Sequence, residues 1–178
     1  MAKQSAAKFD NRSDFVRLRN ACLEEIEEAR RLVLAEPKLL EARNGTGETA
    51  LHWLSIENHM DAVAALIDWG ADANTQDNFQ STPLIHCVIL KYSAMVQLFL
   101  SKGANVAHKD HIGESAILAA AKRRRPDMLQ LVLPHLSPQT DINSLFDDWD
   151  ANKALDRGDE VSALLAARGL NRRETYLD

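Results

Sequence analysis

The amino-acid sequence repeats itself at a spacing of 33 residues. Leu51, Leu84 and Ile117 form one column, Thr49, Thr82 and Ser115 a second, and Gly70 and Gly103 a third. A unit of this length, built as helix, turn, helix and extended finger, cannot bury its apolar face alone and must stack on copies of itself. The period therefore predicts an all-α solenoid of helix-turn-helix units, each ending in a β-hairpin-like finger.

Each column has a physical role. The hydroxyls of Thr49, Thr82 and Ser115 are placed to cap helix starts, and Pro83 follows at a first helical position, where its missing N–H costs nothing. The columns Ala21, Leu54, Cys87, Ala120 and Cys22, Ser55, Val88, Ala121 are mostly small, so the inner helices of neighbouring units can approach closely. Bulk comes from the outer helices. Val63, Val96 and Leu129, then Leu66, Phe99 and Val132, then Ile67, Leu100 and Leu133 recur at helical spacing and should form a continuous core. Gly70 and Gly103 end those helices where a left-handed residue is wanted.

The motifs resemble the ankyrin-repeat family. Gly47-Glu48-Thr49-Ala50-Leu51-His52 resembles the family's G-x-T-P-L-H opening, and Asp77 to Leu84 repeats it with Gln80 in place of the glycine. Gly70-Ala71-Asp72-Ala73-Asn74 and Gly103-Ala104-Asn105-Val106 are similar to its closing G-A-D-V-N. The third copy, from Asp110 to Ile117, loses its closing glycine to Leu136. Several columns held at one offset make the resemblance specific.

The offset organises the chain into one domain, 14–172. A degenerate N-terminal capping unit covers 14–44, with an outer helix carrying Glu24, Glu25, Glu27, Glu28, Arg30 and Arg31 as a solvated face. Full units cover 44–77, 77–110 and 110–143, and Ser137, Pro138 and Gln139 then break the register. Residues 148–170 read as a shortened C-terminal cap, closed by Gly169, whose inner helix lacks about a turn. Residues 1–13 and 171–178 read as flexible tails.

The 178 residues, 46% hydrophobic, supply a core without staples. No apolar run is long enough for a secretory leader or a membrane span, so a cytoplasmic setting is expected. Cys22 and Cys87 fall in core columns two units apart, beyond disulfide reach, and read as buried free thiols. Net charge is −5, and Asp141 to Glu160, with seven acids against Lys153 and Arg157, carries a balance of −5 by itself. The one basic cluster, Lys122-Arg123-Arg124-Arg125, is either a helix end dressed with cations that suit its dipole or a partner contact. A single such cluster on an acidic chain argues against nucleic acid.

No catalytic constellation, phosphate-binding loop or zinc spacing is present, so the sequence implies no enzyme, no cofactor and no metal. The resemblance gives His52 a structural part, tying neighbouring loops by hydrogen bonds, and puts His59 in the family's turn. His108, Asp110 and His111 share a finger but imply no further set of ligands.

The resemblance also marks where partners are met: the finger tips and the ends of the inner helices. Carried onto this sequence, the protein-binding positions are Thr46, Glu48, Phe79, Ser81, His111, Ile112 and Glu114 on fingers, and Ile56, Glu57, Ile89, Leu90, Lys122 and Arg123 at helix ends. Trp53 and His86 line the same concave groove. Ile56, Phe79, Ile89, Leu90 and Ile112 are large and apolar; they form a contact patch or tuck between units. The implied function is a monomeric, non-enzymatic module that binds one protein partner through the groove. The alternative is an inhibitor or toxin-neutralising protein that blocks a partner's active surface. At the turn between helices, where the family places a left-handed glycine, stand Asn58, Lys91 and Arg124. Lys and Arg there should each cost about 1–2 kcal/mol, so Lys91→Gly and Arg124→Gly are both expected to stabilise.

Overall fold

A computed structural model describes residues 11–171, and among them the chain is a row of helical pairs. The helices are α1 (Asn11–Glu24), α2 (Ile26–Ala35), α3 (Ala50–Ile56), α4 (Met60–Asp68), α5 (Pro83–Leu90), α6 (Ser93–Ser101), α7 (Ala116–Lys122), α8 (Pro126–Val132), α9 (Asp148–Leu155) and α10 (Glu160–Ala167). The first helices of successive units pack in the order α1, α3, α5, α7, α9, while α8 joins α6 to α10.

The core columns pack as the period requires. Leu54, Cys87 and Ala120 are buried, as are Val63, Val96, Leu129, Leu66, Phe99 and Val132. Ile67 is only half-buried, packed on the edge of this core. Cys22 and Cys87 are buried free thiols, and burial pushes both up to about 12.

The three helix starts differ. Ser115 Oγ accepts from Leu118 N at 3.1 Å. Thr49 pairs with His52, whose Nδ1 lies 3.3 Å from Thr49 N and 3.1 Å from its hydroxyl. Thr82 was expected to cap α5 and does not: its buried hydroxyl has no partner among the described residues. Ile85 stands three residues on, where its unit-mate by register is His52, and an alkyl chain cannot return the bond.

The turns between helices carry the expected left-handed residues, Asn58 (φ 62°), Lys91 (φ 66°) and Arg124 (φ 52°). The fingers close as tight turns, Asn44 N donating to Glu48 O, Asp77 N to Ser81 O and Asp110 N to Glu114 O. Among the described residues the one bridge is Arg43 to Thr49. Each finger is instead wound on an acceptor side chain. Asn44, Asp77 and Asp110 accept through Oδ1 from Thr46, Phe79 and Ile112 N (3.0, 2.8 and 3.0 Å) and from Glu48, Ser81 and Glu114 N (2.9, 2.9 and 2.8 Å). Neighbouring fingers then join by backbone: Asn78 N donates to Thr46 O and His111 N to Phe79 O. Gly47 (φ 82°) sits inside this contact, where a Cβ would lie 2.7 Å from Asn78 N.

The ends depart from expectation. Asn11 to Ser13, read as tail, belong to α1, and Glu24 closes α1 and is not on the outer helix. Asn171 N donates to Asn143 Oδ1, so that residue is held too; residues 1–10 and 172–178 of the expected tails lie outside the described residues. The last unit's first helix is not short: α9 has 8 residues, as α5 does, because Asp147 provides an N-cap that accepts from Asp150 N at 2.6 Å. Without a closing glycine, α8 exits through the 3₁₀ turn Leu133–His135.

Candidate functional site

The finger tips and helix ends separate into spent and unspent side chains. Phe79 and Ile112, at adjacent tips, are 52% and 70% exposed, and Leu90 at the end of α5 is 41% exposed. The finger windings put the first two there. In each finger the residue two beyond the acceptor donates its N–H inward, which turns its side chain out. The Phe79 ring lies against His111, centroids 5.3 Å apart, so these two side chains meet across two fingers.

Other expected contact residues already have partners within the chain. Ser81 is buried: its N–H closes the finger on Asp77 and its carbonyl meets His52 Nε2 at 3.2 Å. Glu114 is buried because Arg123 folds back onto both its oxygens, at 2.9 and 3.3 Å. Lys122 remains outside but pairs with the buried Asp150 at 2.9 Å. Arg124 donates to Asp159, Ala154 O and Ser162 Oγ, and Arg125 to the carbonyls of Val88 and Ile89 at the end of α5. The basic cluster is thus engaged within the chain.

Ile56 and Ile89 are half-buried, and Ile89 packs on the core. Glu57 is exposed. Thr46 and Glu48 hold each other and Asn44. Trp53 turns toward the N-terminal cap, with the Arg19 guanidinium 5.0 Å from its ring and His59 stacked at 6.3 Å. His86 is half-buried, 3.6 Å from Asp77 and edge-on to His52.

The finger histidines act on backbone. His108 Nε2 lies 2.8 Å from Gln80 O and His111 Nδ1 2.9 Å from Phe79 O, so each of these nitrogens donates to a backbone carbonyl. No group of three His, Cys, Asp or Glu suited to a metal occurs among the described residues. His52 is buried, and that burial lowers its pKa to about 4, keeping the ring neutral. Sequence reasoning missed the finger-to-finger role of His111; the signal was its placement about one period beyond Phe79.

The profile for ankyrin repeats in three copies matches residues 18–110. The chain belongs to the ankyrin-repeat family. It is 41% identical over 85 residues to mouse B-cell lymphoma 3 protein homolog, covering 47% of this chain and 19% of that protein. Similarity to the Arabidopsis thaliana serine/threonine-protein kinase VIK is 35% over 74 residues (42% and 17%), and to human neurogenic locus notch homolog protein 1 it is 30% over 103 residues (57% and 4%). The chain therefore spans less than a fifth of the length of these relatives, and what it shares with them is the repeat array. Ankyrin repeats are generally protein–protein interaction modules and typically not enzymes. No helix among the described residues is long and apolar enough to cross a membrane.

Proposed function

We propose that this chain is a non-enzymatic module that binds one protein partner through the concave groove and finger tips of its middle full unit. The observation that carries the reading is the exposure of three large apolar side chains at such positions, Phe79 and Ile112 at adjacent finger tips and Leu90 at the end of α5, in the same unit as Phe79. Large apolar side chains grouped where the backbone turns them outward mark contact surface more than stray exposure does. His111, His86, Thr46 and Glu57 supply the polar surround that interfaces place around such a centre. Buried Ser81 and Glu114 leave the set, and Lys122 and Arg123, already paired, contribute at most as rim. We extend the reading to a monomer in a reducing, cytoplasmic setting, supported by the buried free thiols Cys22 and Cys87.

The test pairs stability with binding. Phe79→Ser with Leu90→Ser should change stability by about 0.5 kcal/mol or less, since neither side chain fills the core. Affinity for a partner isolated by pull-down should fall about thirtyfold per site, as for central apolar contacts. A variant that keeps its melting temperature and binds that partner undiminished overturns the reading.

A further inference from the structure

Between α1 and the first finger lies a cavity of about 350 Å³, within the range of pockets that take a ligand or an anchoring side chain. Arg12, Phe15, Val16 and Arg19 line it from one stripe of α1, at helical spacing, and Trp53 and the finger tip at Gly45 complete the wall. The lining holds two guanidinium groups and no carboxylate. On a chain of net charge −5 this is a local reversal of sign.

Neither guanidinium is matched by an acid. Arg12 is exposed and has no ion pair or hydrogen bond among the described residues. Arg19 donates from Nε and one terminal nitrogen to the amide oxygen of Asn20, at 3.1 and 2.7 Å; that partner is neutral, so Arg19 keeps its charge and its remaining N–H donors. The Phe15 and Trp53 rings, 5.7 and 5.0 Å from this guanidinium, hold it in place. Asp14 follows Arg12 by two positions, which turns it to the other side of α1, and Glu48 is engaged by Asn44 and Thr46. The backbone adds a third donor. Asn78 N and His111 N each bond the tip of the preceding finger, but Gly45, one period before Asn78, has α1 in place of a preceding finger. Its N–H has no acceptor among the described residues, and with no side chain at Gly45 another backbone can approach this open end of the finger ladder.

We propose that this cavity binds an extended acidic segment of a protein partner: a backbone carbonyl accepts from Gly45 N, an apolar side chain rests on the exposed Val16, and a carboxylate on either side of it meets Arg12 or Arg19. Charge and backbone geometry select this occupant. A helical segment keeps its carbonyls for itself and leaves Gly45 N unmet. Nucleic acid is disfavoured because the Trp53 ring is already engaged by Arg19 and His59 and Phe15 is buried, which leaves bases little aromatic surface. Arg12 and Arg19 stand ~10 Å apart along the helix axis, and alternate residues of an extended chain share a face, so the apolar residue and its two carboxylates belong at alternate positions, which span ~13 Å. Long arginine side chains bridge the difference. The proposal rests on the protein-binding reading and gives the groove an acid-selective end at the first unit, apart from Phe79, Leu90 and Ile112.

The test titrates the isotope-labelled whole chain with the end-capped peptide Thr-Glu-Thr-Val-Thr-Glu-Thr, beside Thr-Gln-Thr-Val-Thr-Gln-Thr and a single-stranded DNA 12-mer. The acidic peptide should bind tightest, shift the amide resonances of Val16, Gly45 and Thr46, and lose about tenfold in affinity in Arg12→Gln, which gives up no bond within the chain. Phe79→Ser with Leu90→Ser should leave this binding unchanged, so failure of the groove reading and failure of this one are read separately. Equal binding of the two peptides, preference for the DNA, undiminished binding by Arg12→Gln, no binding, or shifts confined to residues outside α1 and the first finger each overturns the proposal. The amide shifts need no variant, so they decide the matter whatever the substitutions do to the fold.

Discussion

The junction between units 44–77 and 77–110 and the next one, between 77–110 and 110–143, share one period and are tied in different ways. In the first, a buried imidazole spans the units: His52 holds Thr49 at its own helix start and reaches Ser81 O across the interface. In the second, Ile85 occupies the corresponding place, the Thr82 hydroxyl has no partner among the described residues, and the histidine, displaced by one residue to His86, faces Asp77. The tie has moved outward, to His111 on the Phe79 carbonyl and to Arg125 on the end of α5. A one-residue shift of a single side chain thus changes where a junction keeps its polar contacts and leaves the helical packing intact.

The largest expected effect breaks the first junction with acid. His52 titrates near 6.5 when unfolded and at about 4 in the fold, because burial penalises the charged ring. Its neutral form is favoured in the native state, so the stabilisation is complete above pH 6.5 and is lost as pH falls toward 4. Over that window the loss should reach about 3 kcal/mol from this residue. Urea unfolding at pH 7 and pH 5 measures it, and His52→Gln should flatten the slope. Amide exchange at pH 5 should rise first between units 44–77 and 77–110. Loosening that begins instead between 77–110 and 110–143 would show the comparison drawn the wrong way round.

A smaller effect separates two turns that look alike in sequence. Lys91 and Arg124 both stand at positive φ, where a glycine removes roughly 1–2 kcal/mol of steric cost. Lys91 stands to lose an exposed pair with Asp127 at 3.4 Å, of the kind that contributes about 0–1 kcal/mol. Arg124 bolts α7 to the last unit through Asp159, Ala154 O and Ser162, and hydrogen bonds of charged groups are each worth about 1.5–3 kcal/mol. Lys91→Gly should therefore raise the melting temperature and Arg124→Gly lower it, which corrects the expectation that both would rise. Scanning calorimetry gives the two signs directly.

The smallest effect concerns the outward tie. His111→Ala removes an exposed contact to a carbonyl that water can replace, so the loss of stability should be about 1 kcal/mol in urea unfolding. A loss as large as the acid effect at His52 would mean that the two junctions do not differ as described.

Much of this was legible in the sequence, and for a plain reason. Columns such as Val63, Val96 and Leu129, and the left-handed turn at Asn58, Lys91 and Arg124, are properties of position within a repeat, and a period reports position. The unread part depends on side-chain reach. Glu114 sits at a finger position that faces outward in register, yet Arg123 folds over it from the far end of α7. The basic cluster offered two readings because nothing in the spacing says that Asp150 and Asp159 come within its range. Likewise α9 looked truncated because its cap is Asp147, out of step with Thr49, Thr82 and Ser115.

Arg125 has a consequence for how the chain is made. The last carbonyls of α5 receive their donor from a residue more than thirty positions later, so a chain leaving the ribosome completes that helix end only after the following unit has emerged. His52 waits in the same way for Ser81, and Arg124 for Asp159. Assembly during synthesis consequently runs one unit behind translation, with each new segment closing the one before it.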